Sequence, residues 1–300
     1  MYFATYEKEG KVSIGVLTPD KNSIIPLVAA EKQCLKTATL PDTMLELLDQ
    51  GQSAVDTVGK LLAQAAVCPQ IPLAEIRLLA PIPRPRKNIF CIGKNYVEHA
   101  MEFDKTQDVN VAVPKYPVIF TKPPTTVIGP NALINSHSQV THELDYEVEL
   151  AVVIGKKGTY ISREQAADHI FGYTIINDVT ARDLQKTHMQ WFRGKGLDTC
   201  APMGPYLVHK SAVANVESLP ISLKVNGEIR QNSNTRDLVF KISELIATIS
   251  AGLTLEPGDI IATGTPAGVG AGFKPPRFLK KGDQMELSIG EIGVLKNTVD

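Results

Sequence analysis

Residues 144–156, LDYEVELAVVIGK, constrain the fold more than any other part of the chain. As a strand, the segment sends alternate side chains to opposite faces, so Asp145, Glu147 and Glu149 share one face while Tyr146, Val148 and Leu150 share the other. Beyond Glu149 both faces turn apolar through Ala151, Val152, Val153 and Ile154, which is the pattern of a strand covered on both sides. The strand is therefore expected to run into a core with its acids at the mouth. Same-face neighbours on a strand sit ~7 Å apart, and carboxylates at that spacing repel unless a positive charge lies between them. A divalent metal balances them; the duller alternative is the solvated acidic face of an edge strand.

The chain has 300 residues, enough for one large domain or a main domain with a small companion. A net charge of -1 provides no attraction to nucleic acid or anionic membrane, which removes both as expected partners. The opening MYFATYEKEG lacks a basic segment followed by an apolar one, and no run of about 18 apolar residues occurs, so a cytoplasmic protein is expected. Cys34, Cys68, Cys91 and Cys200 have no CxxC spacing and suit buried thiols in a reducing compartment.

Residues 1–80 form a separate small α+β unit on this pattern. YFATYEKEGKVSIGVL is a hairpin turning at Glu9-Gly10, NSIIPLV a third strand, and TMLELLDQG and VDTVGKLLAQAAV two helices. Pro81, Pro83 and Pro85 make a stiff connector, and a mainly β domain of mixed α/β class occupies 86–300. There IFCIG is a buried strand, Asn95 caps a helix NYVEHAMEF, and His99 and Glu102 face the same way on it. The polar segment DKTQDVNVAVPKY after it reads as a lid loop of about ten residues. VIFTKPP places Lys122 at a strand end. FGYTIIND is an apolar strand ending in Asp178, and Thr180 and Asp183 open a helix TARDLQKTHMQWF with Arg182 and Gln185 on one face. RGKGLDTCAPMGP is a loop bearing Lys195, LKVNGEIRQ a structural hairpin on Asn226-Gly227, SELIATISAG a helix, and DIIATGTPAGVG a strand running into a loop with Thr265. QMELSIGEIGVLKNTV closes the sheet.

Glu147, Glu149 and Asp178 are candidate oxygen ligands, His99 with Glu102 a candidate base, and Lys122, Arg182, Gln185, Lys195 and Thr265 candidate polar binders. An oxygen-only set without cysteine suits magnesium, manganese or calcium rather than zinc, and leaves positions open for a 2-oxo acid to chelate through its carboxylate and keto oxygens. Each residue alone has a plainer role. Asp178 and Thr265 could shape turns, Arg182 and Lys195 could be surface charges, and His99 a satisfied helix histidine.

In this order, CIGKNYVEHAMEF, LDYEVELAVVIGK, FGYTIINDVTARDLQ, GKGLDTCAPMGP, VNGEIRQ and LEPGDIIATGTPAGVG closely resemble the successive signatures of the fumarylacetoacetate hydrolase family. The resemblance covers about 86–300, and the first 80 residues look like the small N-terminal domain of longer bacterial members. It implies a β-roll catalytic domain, a homodimer, and Mg²⁺ or Mn²⁺ held by Glu147, Glu149 and Asp178. By the same resemblance His99 and Glu102 are the lid pair, Lys195 the catalytic lysine, and Lys122, Arg182, Gln185 and Thr265 substrate contacts. Lys94 departs from the arginine of many relatives, keeping charge but losing the planar fork.

The expected reaction is metal-dependent cleavage of a carbon-carbon bond in a 2-oxo acid, first oxaloacetate decarboxylation to pyruvate and CO2. The alternatives are acylpyruvate hydrolysis, isomerisation or decarboxylation of a 2-hydroxyhepta-2,4-diene-1,7-dioate, and a metal-dependent binding or regulatory module that turns nothing over. The His99-Glu102 pair argues against the last, because a binder needs no base.

Overall fold

The computed structural model describes residues 1–103 and 108–300. The chain opens with β1 (Tyr2–Lys8) and β2 (Lys11–Leu17), joined at Glu9 and Gly10, whose φ values of 53° and 78° are those of a hairpin turn that needs left-handed backbone. β3 (Ser23–Pro26) follows, then α1 (Met44–Gln50) and α2 (Gln52–Ala63). Thr43 caps α1 by accepting from the Glu46 N–H, and donates its hydroxyl to the Glu46 carboxylate. The larger part contains β4 (Ile89–Gly93), α3 (Val97–Glu102), β5 (Val118–Lys122), β6 (Val148–Ile154), β7 (Ile170–Asn177), α4 (Arg182–Thr187), α5 (Phe192–Lys195) and β8 (Ala201–His209). It ends with β9 (Pro220–Val225), β10 (Glu228–Asn234), α6 (Ile242–Ser250), β11 (Ile260–Ala262), β12 (Gln284–Ile289) and β13 (Gly293–Val299).

One large sheet carries the order β3-β2-β1-β8-β7-β6-β11-β4-β5. A second sheet runs β10-β9-β12-β13 and ends on the short strand Leu133–Ile134. The final pair of strands therefore builds a separate layer instead of closing the first sheet. The class is mixed α/β and mainly β, as expected.

β6 lies in the middle of the large sheet, antiparallel to both β7 and β11. Val148, Leu150 and Val152 pack in one cluster with Ile221, Leu223 and Leu287 of the second sheet. Ala151 and Val153 point the other way, into a cluster with Met203 of β8 and with Leu47, Leu48, Val58 and Leu61 of α1 and α2. Coverage on both faces is what the unbroken apolar run requires, each buried leucine or valine contributing ~1.5–3 kcal/mol.

Residues 1–80 thus share sheet and core with the rest. β1 pairs antiparallel with β8, Phe3 opposite Leu207. The proline connector is docked: the Thr5 hydroxyl donates to the Pro81 carbonyl at 2.7 Å, and Arg86 grips Asp49 of α1 through two hydrogen bonds of 2.8 and 2.6 Å. No helix among the described residues is long and apolar enough to cross a membrane.

Three local expectations need correction. The acidic stretch is two strands, Leu144–Asp145 and β6, because Leu144–Asp145 pairs with Thr180–Ala181 and the chain must bend at 146–147 to enter the large sheet. Thr180 accordingly lies in a strand and caps nothing, while Asp183 accepts from the Thr141 hydroxyl and the His142 N–H. Asn95 caps no helix either; its buried amide spans the Phe240 backbone and the Thr263 carbonyl, tying α3 to the loop after β11. The lid expectation falls partly on residues 104–107, outside the described residues; a single helical turn, Val109–Ala112, follows them.

Candidate active site

The antiparallel register of β6 and β7 sets Val148 opposite Asn177, so the start of one strand and the end of the other meet at one edge. The Asp178 N–H donates to the Glu147 carbonyl at 2.9 Å, and the Glu147 N–H donates to the Asn177 side-chain oxygen at 3.0 Å. Carboxylate oxygens of Glu147, Glu149 and Asp178 consequently lie within 4.8 Å of one another, with all three residues buried.

Three cations surround them unequally. Lys195, at the end of α5, donates to Glu147 at 2.7 Å and to Asp178 at 2.8 Å. Arg182, opening α4, donates through Nη2 to Glu147 at 2.6 Å, through Nε to Asp145 at 2.8 Å and through Nη1 to Gln185 at 3.1 Å. Lys122, ending β5, reaches Asp178 at 2.8 Å and the Val179 carbonyl at 2.9 Å. Glu149 has no ion pair among the described residues; its one hydrogen bond comes from the Gly264 N–H at 2.8 Å.

That inequality governs the titration. Burial pushes the Glu149 carboxyl well above its ordinary range, and Asp178 and Glu147 add to the shift. Burial would raise Glu147 too, but Lys195 and Arg182 outweigh it and hold the group at about 2. Burial likewise opposes the charge on Lys195, yet Asp178 and Glu147 keep its ammonium above the usual value. Three converging carboxylates, one without a counter-cation, fit a hard divalent ion, and the absence of sulfur or imidazole from the donor set matches magnesium or manganese.

Glu147 and Glu149 open into a cavity of about 350 Å³ whose walls also carry His99, Arg182, Gln185, Lys195, Thr265 and Lys94. His99 Nδ1 faces the Glu102 carboxylate at 2.8 Å, and the other Glu102 oxygen accepts the Gly268 N–H at 2.7 Å. Glu102 thereby fixes the ring from behind and latches α3 to the loop after β11. A carboxylate on Nδ1 favours the tautomer with the proton there, leaving Nε2 able to accept one. Phenyl rings stand near both cations that hold Glu147: Phe120 lies 5.0 Å from Lys195 Nζ and Phe103 5.5 Å from the Arg182 guanidinium.

The structure gathers nine of the ten expected residues around this cavity or directly against its lining. Lys122 differs: it is fully buried against Asp178, to which its ammonium donates, and does not line the cavity. Asp145, aligned with the two glutamates by strand period, does not join them. It is saturated by Arg182 and by the N–H groups of Tyr146, Gly270 and Ala271, and serves as the anchor that turns Arg182 towards Glu147.

Gln231 went unrecognised in a hairpin that reads as structural. Its amide donates to the Thr265 hydroxyl at 2.8 Å and the Pro266 carbonyl at 2.7 Å, while its oxygen accepts the Val148 N–H at 3.0 Å. No local signal marks it, since its partners come from distant strands.

Residues 88–300 match the model of the fumarylacetoacetate (FAA) hydrolase C-terminal family. Oxaloacetate tautomerase YisK of Bacillus subtilis is 49% identical, with both chains covered in full. Among solved structures, fumarylacetoacetate hydrolase from psychrophilic Exiguobacterium antarcticum superposes with a TM-score of 0.83 at 39% identity, covering 100% of this chain and 99% of its own. Maleylpyruvate hydrolase from Sphingobium sp. SYK-6, solved with manganese(II) and pyruvate, gives 0.77 at 31%, covering 100% and 98%.

Proposed function

The chain belongs to the fumarylacetoacetate hydrolase family, and on that premise we propose that it cleaves a carbon-carbon bond in a 2-oxo acid with a divalent metal, oxaloacetate first, releasing CO2 and pyruvate. The observation that carries this is the meeting of the carboxylate triad and the His99–Glu102 pair at one cavity.

A Mg²⁺ or Mn²⁺ ion held by Glu147, Glu149 and Asp178 supplies Lewis acidity toward the keto oxygen, worth several kcal/mol of charge stabilisation. Lys195 holds its ammonium against two of those carboxylates and stabilises negative charge growing beside them. Arg182 and Gln185 bind and orient the acid on one wall, Thr265 offers its hydroxyl on another, and the Phe103 and Phe120 rings exclude water. Lys122 acts through Asp178. In decarboxylation the electrons of the C3–C4 bond pass to the C2 oxygen and the enolate takes a proton at C3, so no base is needed at the start.

The name of the Bacillus relative favours a second reading at the same site, keto-enol exchange of oxaloacetate. There His99 Nε2 removes a C3 proton, the electrons of that C–H bond pass to the C2 oxygen with the C4 carboxylate retained, and protonation on that oxygen gives the enol. An acylpyruvate instead needs His99 to activate water, as the likeness to maleylpyruvate hydrolase suggests. The family resemblance also supports a homodimer, and the four free cysteines support the cytoplasm.

The test is His99→Ala with Mg²⁺ or Mn²⁺, following oxaloacetate enol by ultraviolet absorbance and pyruvate by a coupled assay. Proton abstraction or hydrolysis should fall ~10²- to 10⁴-fold while decarboxylation is spared. Equal loss of both would remove His99 as the base.

A further inference from the structure

The cavity lining includes one large side chain, Trp191, for which the chemistry above finds no use. Trp191 lies with the six-membered ring of its indole against the end of β4: a Cβ on Gly93 would stand 2.3 Å from Cζ3 and 2.8 Å from Cη2. Only glycine allows that approach, since no real Cβ sits so close to another atom. The same ring meets Phe120 edge-on, centroids 5.4 Å apart, and Phe120 in turn lies 5.0 Å from Lys195 Nζ. Gly93, Phe120 and Trp191 all line the cavity with Glu147 and Glu149. Lys195, Phe120 and Trp191 therefore follow one another by contact along one wall of the cavity.

The wall is also tied to the catalytic lysine. The Trp191 carbonyl accepts the N–H groups of Gly194 at 2.9 Å and Lys195 at 3.1 Å, so a single helical turn positions the indole and the ammonium together. The partly buried indole is held between the Gly93 backbone and the Phe120 ring, and a cavity of about 350 Å³ is at the small end for ligands.

We propose that Trp191, seated on Gly93 and braced by Phe120, is a specificity-determining wall that limits the length of the 2-oxo acid beyond its keto carbon, selecting short acids over long-chain ones. The proposal rests on the 2-oxo acid reading of the site, and the wall acts on whichever of its reactions the enzyme performs. Such a wall discriminates through overlap, for which one methylene is worth ~10- to 200-fold.

The experiment measures calorimetric affinity, with Mn²⁺ present, for pyruvate, 2-oxobutyrate, 2-oxopentanoate and 2-oxohexanoate in the full-length protein, alongside oxaloacetate turnover. The wild type should bind progressively more weakly as the chain grows. Trp191→Ala should raise the affinity for 2-oxohexanoate relative to pyruvate at least ~10-fold, the low end for one methylene of relieved overlap, with Trp191→Phe intermediate. Gly93→Ala, which must displace the indole, should alter that ratio in the wild type and leave it unaltered in the Trp191→Ala background. An unchanged ratio in Trp191→Ala, or an equal Gly93→Ala effect in both backgrounds, overturns the wall. Length-graded binding that Trp191→Ala relieves, without turnover of oxaloacetate, leaves the wall standing and sinks the proposed reaction; binding of no 2-oxo acid sinks both.

Discussion

Replacing Lys195 by methionine removes a positive charge shared by two buried carboxylates and keeps most of the side-chain volume. Before the change, Glu147 is held by Lys195 and Arg182, Asp178 by Lys195 and Lys122, and Glu149 by no cation. Afterwards each of the first two retains one cation, but four acids counting Asp145 face two, all largely shielded from water. Breaking a buried pair on one side costs ~3–5 kcal/mol, and the surviving Arg182 and Lys122 contacts put this case at about 3. For a chain of 300 residues that corresponds to a fall in Tm of roughly 5 °C in metal-free protein. A divalent cation restores the missing charge, so saturating Mn²⁺ should recover most of the loss while turnover stays down by ~10²- to 10³-fold, the scale of losing a charge-stabilising donor. Thermal unfolding of wild type and Lys195→Met, with EDTA and with Mn²⁺, reads all of this. Equal Tm values in EDTA, or a deficit that Mn²⁺ leaves untouched, would refute the charge accounting.

Two further outcomes follow from Glu149. Glu149→Gln should weaken Mn²⁺ binding at least tenfold by calorimetry yet leave the metal-free protein as stable or more so, since it removes a buried acid that lacks a cation; retained affinity would strike the residue from the ligand set. Because the folded pKa of Glu149 is raised, its contribution to metal-free stability is present below the unfolded value and lost as pH climbs through the folded one. Metal uptake must then displace a proton wherever that carboxyl is protonated, so affinity rises with pH, and calorimetric heats in buffers of different ionisation enthalpy should differ; identical heats would show that no proton leaves.

Much of the site is legible locally. Glu147 and Glu149 are two apart on a strand and His99 and Glu102 three apart on a helix, spacings that place each pair on one face whatever surrounds them. Asp178 is legible as an acid ending an apolar strand. A strand-end lysine such as Lys122 reads alike whether it faces a cavity or a buried carboxylate; what sets it against Asp178 is the place of β5, three strands from β6 and beyond β11 and β4. Asn95 and Thr180 have the composition of helix caps, but Asn95 satisfies distant backbone and Thr180 pairs in a strand. The separateness of residues 1–80 is suggested by the prolines after them, whereas β1 joining β8 depends on chain 200 residues away.

By itself the amino-acid order determined the chemistry on offer: oxygen ligands without thiols, an imidazole with its carboxylate, and a central strand covered on both faces. Tertiary structure decided which groups use it. Asp145 and Asp178 are equivalent as acids, and only the register of β6 against β7 brings one to the glutamates while Gly270, Ala271 and Arg182 consume the other. Strand spacing is written in neighbouring residues, but the pairing of strands separated in the chain is set by long-range burial and hydrogen bonding, which no local window contains.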